Sequence, residues 1–232
     1  MKVIHSLIHL GDYIQNNDAK INHLLSKAYQ HNKWFTNENS KRALSSIVNE
    51  FLNEDKLNSF IAKYDKQQKA YPIKTVGIVA AGNIPLVGFH DLLVVLLSNH
   101  KLAIKLSEKD NILLPFLIQQ LLLFNPDLEE RIEIVDRLVD FDAVIATGSD
   151  NTARYFEYYF GKYPSVIRKN RNSIAILDGS ETKEDLIKLG DDVFSYFGLG
   201  CRNVSKLYVP KNYDFQPLKE AFETYKNVGD HY

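Results

Sequence analysis

The chain has 232 residues, with 28 basic and 29 acidic side chains and a formal net charge of −1, so no electrostatic field favours nucleic acid or an anionic membrane as a partner. This length provides one large domain or two small ones with ample apolar surface for a core. A single cysteine, no charged-then-apolar leader and no apolar run of the roughly 20 residues that a membrane span needs together predict a cytoplasmic protein without a transmembrane segment.

The first part of the chain, to about residue 68, has the pattern of packed helices. It contains one glycine, Gly11, and its apolar residues recur at helical spacing, as at Leu44, Ile47 and Phe51. Residues 39–44 offer a polar cap before one helix, and residues 53–56 indicate a break after it. We therefore assign residues 1–70 to a helical N-terminal section.

From residue 74 onward, short apolar and β-branched runs alternate with helical stretches, which is typical of a parallel sheet with crossover helices. The predicted fold class is α/β, a doubly wound parallel, Rossmann-like sheet within residues 71–197. The predicted strands are residues 75–80, 102–105, 132–135, 143–147 and 173–177, and the predicted helices are residues 85–98, 111–124, 151–160 and 183–197. A further strand is predicted at residues 206–209.

The turn after the first strand has the sequence AAGNIP, residues 80–85. Ligands of open parallel sheets bind beyond the carboxyl ends of the strands, so each such turn is a candidate site. Gly82 permits a tight turn, and Pro85 suits the first turn of a following helix. The side-chain amide of Asn83 can donate to an oxygen that gains negative charge during acyl chemistry. The alternative is an asparagine that caps the helix.

The turn after the second strand combines a cation, a hydroxyl and a carboxylate, Lys105, Ser107 and Glu108. The lysine can reach ribose hydroxyls or a ribose phosphate of a dinucleotide, and the glutamate can accept from a ribose hydroxyl. In the alternative interpretation Ser107 is a helix cap, and Glu108 and Asp110 are favoured by the helix dipole.

A third turn, ATGS at residues 146–149, precedes another predicted helix. Gly148 lets a ligand approach the backbone, and the Ser149 hydroxyl with the following amides can bind a phosphate at the helix start. The turn lacks the full glycine-rich dinucleotide fingerprint. An ordinary strand-to-helix turn is the alternative.

Cys201 follows the segment FGLG, residues 197–200, whose two glycines allow a tight exposed loop. Arg202 adjoins it, and a nearby cation with loop amides favours the thiolate, which attacks carbonyl carbon. The alternative is a small buried hydrophobic residue. The seven histidines are scattered without metal-ligand spacing, so no metal site is predicted.

In this order the turns resemble the aldehyde dehydrogenase superfamily, and within it the acyl-CoA reductase branch that includes the fatty-acid reductase of bacterial luminescence. The resemblance runs from about residue 74 to residue 209. It implies that Lys105 and Glu108 hold the adenosine ribose. The chain departs from the family at Leu106, where the family usually has proline. It also implies that the turn at Gly148 and Ser149 contacts phosphate.

The same resemblance implies a catalytic pair, with Cys201 as the nucleophile and Asn83, together with the Cys201 amide, as the oxyanion donor. Oxidising members of the superfamily carry a water-activating glutamate, and alignment places Val166 at its position, beside the basic residues 168–171. An acyl-enzyme on Cys201 would then hydrolyse poorly, which leaves hydride reduction as the productive exit.

The resemblance therefore implies a reductase that converts an acyl-CoA or acyl-carrier thioester to an aldehyde with NADP or NAD as cofactor. Both cofactors are kept because Lys105 suits a phosphate and Glu108 suits a free hydroxyl. One alternative is an aldehyde or semialdehyde dehydrogenase. Another is a truncated, catalytically silent dinucleotide-binding module in which Cys201 is buried. Residues 198–232 are expected to be the start of a catalytic domain that the family continues well beyond the cysteine. A homo-oligomer stays an open possibility.

Overall fold

The computed structural model describes residues 2–65 and 72–231, so predictions for residues 1, 66–71 and 232 lie outside the described residues. The chain divides into two compact units, Met1–Lys169 and Asn170–Tyr232. The sequence placed boundaries near residues 70 and 197 instead. The difference arises because the N-terminal helices share one core with the sheet, and because the strand and helix before residue 197 pack with elements that follow it.

The first unit begins with helices, as predicted for its described residues. They are α1 (Lys2–Asn16), α2 (Asp18–His31), α3 (Asn37–Phe51) and α4 (Glu54–Asp65). In α1 the buried residues Leu7, Leu10 and Ile14 recur at the spacing of one helix face. The cap of α3 is Thr36, whose side chain accepts from Asn39 N at 3.2 Å. The polar segment 39–44 thus lies inside the helix, and its prediction as a cap is wrong.

A five-stranded parallel sheet follows, which confirms the doubly wound α/β prediction. Its strands are β1 (Thr75–Val79), β2 (Lys101–Lys105), β3 (Ile132–Ile134), β4 (Ala143–Thr147) and β5 (Ser165–Arg168). They pair in the order β3-β2-β1-β4-β5. The chain reverses its direction of travel across the sheet between β1 and β4. That switch point is where doubly wound sheets form their ligand crevice.

The helices that cover the sheet are α5 (Phe89–Leu97), α6 (Leu113–Phe124) and α7 (Asp150–Phe160). Leu92 of α5 and Leu117 of α6 are fully buried with Ile78 and Ile104 of the central strands. Helix α5 begins later than the predicted residue 85, because the preceding turn does not have helical backbone. Pro85 is therefore not in the first turn of that helix.

The second unit contains a separate two-stranded parallel sheet, β6 (Ser173–Ile176) and β7 (Val204–Tyr208), with α8 (Lys183–Phe194) and α9 (Gln216–Phe222). Its own core consists of apolar residues from α8, β7, α9 and the position after β6: Leu177, Leu186, Leu189, Val204, Leu218 and Ala221. The strand at residues 173–177 was predicted correctly but assigned to the wrong sheet. Its alternating pattern, with Ile174 and Ile176 exposed, is that of a strand packed on one face only.

None of the helices in residues 2–65 and 72–231 has the length and apolar character needed to cross a bilayer.

Candidate functional site

The candidate cofactor residues of the first unit follow three strands that are neighbours in the sheet. Asn83 comes after β1, Lys105 ends β2, and Gly148 comes directly after β4. Because β2, β1 and β4 are adjacent and parallel, their carboxyl ends meet at one edge of the sheet. We call this the carboxyl edge, defined by residues 80–88, 105–110 and 147–149.

The turn after β1 places Asn83 in irregular backbone between the strand and α5. The residue that precedes α5 as its N-cap is Gly88, so the alternative interpretation of Asn83 as a helix cap is wrong. Leu86 has a φ of 60°, which is uncommon for a residue with a side chain. A Cβ on Gly82 would overlap the Ser107 Oγ. Glycine at residue 82 therefore lets the turns after β1 and β2 touch.

A buried carboxyl group, Asp110, holds the turn after β1 by a hydrogen bond to its backbone. Its Oδ2 accepts from Leu86 N at 2.7 Å, and its Oδ1 lies 3.4 Å from Leu114 N at the start of α6. Burial raises the pKa of Asp110 to about 6, although the backbone hydrogen bonds act in the opposite direction. The helix-dipole interpretation explained only the contact with α6. The bond to Leu86 depends on tertiary structure and was missed.

The turn after β2 presents Lys105 and Glu108 as exposed side chains. Ser107 caps the 3-10 turn Glu108–Asp110, and its Oγ accepts from Lys109 N at 3.3 Å. This geometry matches the capping interpretation of Ser107. It leaves the lysine and the glutamate accessible to a ligand.

The N-terminal helices support that turn from outside. His31 Nε2 donates to the Glu108 carbonyl oxygen at 2.8 Å, and Asn32 Nδ2 donates to the Lys109 carbonyl oxygen at 3.1 Å. Neither contact was predicted from the sequence. Their contacts show how α2 and the residue after it hold a candidate cofactor segment in place.

The turn after β4 joins a candidate phosphate site to a helix cap. Ser149 Oγ accepts from Thr152 N at 3.3 Å and is the N-cap of α7. A Cβ on Gly148 would lie 3.0 Å from both Phe156 Cε2 and Thr152 Cβ, so packing against α7 favours glycine there. Within the described residues, Thr147 Oγ1 is buried without a hydrogen-bond partner. Buried polar atoms are normally hydrogen-bonded, so this hydroxyl is an exception.

An ion pair connects α5 to the end of β5. Both carboxylate oxygens of Asp91, which is 4% exposed, lie 2.7 Å from Arg168 Nη1. Burial alone would raise the pKa of Asp91, but His90 and Arg168 outweigh it and hold that pKa below its usual range. The Arg168 carbonyl oxygen also accepts from Gly148 N at 3.1 Å. Arg168 therefore holds the turn after β4 through its backbone while its side chain binds α5.

Cys201 lies in the second unit and is exposed, so the alternative of a buried hydrophobic residue is wrong. The helix predicted to reach residue 197 ends at Phe194. The next residues turn sharply, with φ values of 53° at Tyr196, 58° at Phe197 and 69° at Gly198. Left-handed backbone costs about 1–2 kcal/mol for each residue other than glycine. We call residues 195–203 the cysteine loop.

Asn203 was missed by the sequence interpretation, and its side chain crosses the base of the cysteine loop. Its Oδ1 accepts from Gly200 N at 2.8 Å, and its Nδ2 donates to Asp192 O at 2.9 Å and Ser195 O at 3.0 Å. The sequence signal that could have found it is an asparagine two residues after the cysteine. A side-chain amide can donate and accept hydrogen bonds at once, so it can join two backbone segments.

The structure thus gathers the predicted residues of the first unit at one edge and places the cysteine in the second unit. Those at the carboxyl edge are Asn83, Lys105, Ser107, Glu108, Gly148 and Ser149. Among the described residues, no group of three or more His, Cys, Asp and Glu side chains could hold a metal ion.

Solved aldehyde dehydrogenases have this fold. The chain is similar to the putative aldehyde dehydrogenase PutA from Anabaena variabilis, with 18% identity, a TM-score of 0.68 and coverage of 97% of this chain and 51% of that chain. Aldehyde dehydrogenase 21 from Physcomitrella patens is 17% identical, with a TM-score of 0.70 and coverage of 97% of this chain and 51% of that chain. An aldehyde dehydrogenase from Bacillus cereus is 16% identical, with a TM-score of 0.71 and coverage of 98% of this chain and 50% of that chain. The chain spans about half the length of each.

The family is narrower than the fold. The sequence matches the family described as acyl-CoA reductase (LuxC) over residues 10–223. The chain belongs to this acyl-CoA reductase family, which confirms the resemblance predicted from the ordered turns. No curated protein matches the chain.

Proposed function

We propose that this chain supplies the cofactor-binding carboxyl edge and the nucleophile of an NAD(P)H-dependent reductase that converts an acyl-CoA or acyl-carrier thioester to an aldehyde. The observation that carries the proposal is an exposed cysteine at the predicted position in a chain of the acyl-CoA reductase family. Exposure matters because the sulfur must reach the carbonyl carbon of an incoming thioester.

In the proposed first half-reaction, the Cys201 sulfur attacks the thioester carbonyl. A bond forms between that sulfur and the acyl carbon, the bond to the carrier sulfur breaks, and the carrier thiol leaves with a proton. As the family resemblance implies, Asn83 is proposed to donate its amide N–H to the oxygen that becomes negative, and the Cys201 backbone amide is proposed as a second donor. The fixed turn around Asn83, held through Leu86 by Asp110, supports this role. A pre-oriented donor needs no reorganisation during the reaction.

The residues at the carboxyl edge fit a nicotinamide dinucleotide. Lys105 offers a cation, Glu108 an exposed carboxylate, and the start of α7 after Gly148 and Ser149 offers amides and a dipole to a phosphate. Ser107 is proposed to contribute through the turn that it caps. The buried Thr147 hydroxyl supports a ligand at this edge. When bound, the reduced cofactor supplies hydride to the acyl group. The Bacillus cereus aldehyde dehydrogenase of the same fold is a complex with NAD+.

Reduction rather than hydrolysis is proposed because the chain has no carboxylate that could activate water at the aligned position. Val166 stands there in β5, and the nearby buried carboxylate of Asp91 is already bound by Arg168. Without such a carboxylate, an acyl group on Cys201 is expected to hydrolyse slowly, because no general base is present there to activate water. Hydride addition to the acyl carbon gives the anion of a thiohemiacetal. Its carbon–sulfur bond then breaks, which releases the aldehyde and the Cys201 thiolate, and the thiolate takes up a proton from water.

Mass spectrometry of the full chain after incubation with palmitoyl-CoA, without reductant, tests the proposal. We expect one added acyl group on the peptide that contains Cys201, its removal by hydroxylamine, and no addition in Cys201→Ala. Addition of NADPH or NADH should discharge the label as aldehyde.

Two results would contradict the proposal. Rapid formation of acid from an aldehyde without thioester turnover would identify an aldehyde dehydrogenase. An accessible Cys201 that stays unlabelled would favour the catalytically silent module.

A further inference from the structure

We infer that Asn203 is a positioning residue that fixes the cysteine loop and thereby the direction of the Cys201 thiol. The inference rests on the proposed nucleophilic role of Cys201. It adds to that role a residue whose side chain acts on the loop backbone and not on the substrate.

One end of the Asn203 side chain completes helix α8. The last carbonyl groups of a helix lack partners inside the helix. Asn203 Nδ2 donates to Asp192 O at 2.9 Å, to Ser195 O at 3.0 Å and, more weakly, to Val193 O at 3.4 Å. The amide thus acts as a C-terminal cap supplied from further along the chain.

The other end closes the turn that carries the cysteine. Asn203 Oδ1 accepts from Gly200 N at 2.8 Å, and Asn203 N donates to Gly200 O at 3.0 Å. Residues 200–203 are therefore a four-residue turn that is bonded twice between its first and last positions. Cys201 is the second residue of this turn, so its Cα–Cβ direction is set by the turn.

Between these two attachments lies the segment with left-handed backbone. Tyr196, Phe197 and Gly198 all have positive φ. For Tyr196 and Phe197, which carry side chains, this conformation persists only where surrounding contacts enforce it. Asn203 binds Ser195 O just before the segment and Gly200 N just after it. Its position at both ends is the reason to assign the constraint to this side chain.

Loss of the amide should disturb the loop more than the unit. The core of the second unit consists of Leu186, Leu189, Val204 and other apolar residues that Asn203 does not join. Asn203→Ala removes both attachments. Asn203→Asp keeps an acceptor for Gly200 N but places a negative oxygen against the carbonyl groups of α8.

Thr182→Ala provides a matched control in the same helix. Thr182 caps the other end of α8, where its Oγ1 accepts from Asp185 N at 3.2 Å and its backbone N donates to Asp185 Oδ2 at 3.0 Å. The Thr182→Ala change therefore removes a side-chain cap at the start of α8, as Asn203→Ala removes one at its end. Thr182 takes part in none of the hydrogen bonds that the Asn203 side chain makes.

The test compares the full wild-type chain with the three variants by three measurements. These are hydrogen exchange of peptide amides in residues 195–203, the rate of S-acylation by palmitoyl-CoA, and the rate of alkylation by iodoacetamide, which reports on the single thiol. For Asn203→Ala we expect about tenfold or greater acceleration of exchange at the Gly200 amide, because that amide loses its acceptor. For Asn203→Asp, which keeps an acceptor for this amide, we expect a smaller acceleration there. For both variants we also expect about tenfold or greater loss of S-acylation, because small misplacements of a reacting group are costly.

Alkylation by the small neutral reagent should change by less than about threefold, because the thiol stays exposed and the reagent needs no fixed approach. Thr182→Ala should leave S-acylation and loop exchange near the wild-type values. Equal loss of S-acylation in Thr182→Ala and Asn203→Ala would overturn the inference in favour of general destabilisation. Wild-type S-acylation rates in both Asn203 variants would overturn it as well.

Failure of the proposed function is distinguishable from failure of the inference. If the wild-type chain takes no acyl group, the proposed function fails, and hydrogen exchange still decides the role of Asn203. Unchanged exchange at residues 195–200 in Asn203→Ala would show that the amide does not hold the loop.

Discussion

The carboxyl edge of the first unit and the cysteine loop of the second unit are held by different physical means. Buried charged groups fix the edge: Asp110 binds the Leu86 amide, and Asp91 binds Arg168. The cysteine loop is fixed by the neutral amide of Asn203. Removal of a partner from a buried charge leaves an uncompensated cost, whereas loss of a neutral hydrogen bond near solvent is partly replaced by water.

The edge and the loop should therefore respond differently to mutation. A change at the edge should alter the free energy of unfolding of the first unit, and a change in the loop should mainly alter the local conformation around Cys201. Trp34, the single tryptophan, packs against the core of the first unit, so its fluorescence reports on that unit.

The largest effect is expected for Arg168→Ala, which should lower the free energy of unfolding of the first unit by about 2–3 kcal/mol. The reason is that Asp91 stays buried and loses its partner, and the value allows for the partial exposure of Arg168. The pKa of Asp91 is below its usual range, so the pair stabilises above the unfolded pKa, and its contribution is lost as pH falls through the folded pKa. Urea unfolding followed by Trp34 fluorescence at pH 7 and in acid measures both effects.

Lys169→Ala is the matched control for this change. It removes the ion pair with Glu157, 2.7 Å long and half-exposed on both sides, which should cost less than about 1 kcal/mol. Equal losses in the two variants would show that the edge is not held by buried charge.

The second prediction concerns Asp110, whose pKa is shifted in the opposite direction from that of Asp91. Because burial raises the pKa of Asp110 to about 6, the native state keeps a proton that the unfolded state releases, and stability falls as pH rises from about 4 to 6. Asp110→Asn removes that slope and should stabilise the first unit at pH 7 by about 2 kcal/mol. It should also speed hydrogen exchange at Leu86 or at Leu114, since asparagine keeps one acceptor oxygen and one of these two amides loses its partner.

Urea unfolding at pH 4 and pH 7 checks this prediction, with Asp127→Asn as the control. Asp127 is an exposed carboxylate paired with Lys2, so its replacement should leave the slope between pH 4 and 6 unchanged. A loss of stability in Asp110→Asn at pH 7 would mean that the hydrogen bonds of the carboxylate outweigh its burial.

The sheet was predictable because buried parallel strands are apolar throughout, and β1, β2 and β4 have that pattern. β5 was missed because it is an edge strand whose exposed Ser165 and Val166 do not stand out in sequence. The start of α5 was misplaced because the left-handed backbone at Leu86 is not encoded by a glycine.

The candidate site was predictable only in part, and the reason is distance along the chain. Asn83, Lys105 and Gly148 are recognisable because each directly follows a strand. Their supports are not, because Asp110 and Arg168 act on residues 24 and 77 positions away. Such contacts exist only after the sheet has formed.

The smallest effects are expected from the two helix caps, which compare the units most directly. Ser149→Ala and Thr182→Ala each remove a side chain that accepts from a backbone amide at the start of a helix. Each should cost about 1 kcal/mol of stability in its own unit. Urea unfolding followed by Trp34 fluorescence for Ser149→Ala, and hydrogen exchange in α8 for Thr182→Ala, measure these losses.

The two variants should differ in cofactor binding. If Ser149 contacts a phosphate of the dinucleotide, its loss should raise the Kd for NADPH or NADH by about tenfold, because hydrogen bonds to charged groups are strong. Thr182→Ala should leave the Kd unchanged. An unchanged Kd in both variants, measured by fluorescence titration, would reduce Ser149 to a cap of α7 and shift the candidate phosphate contact to the amides that follow Gly148.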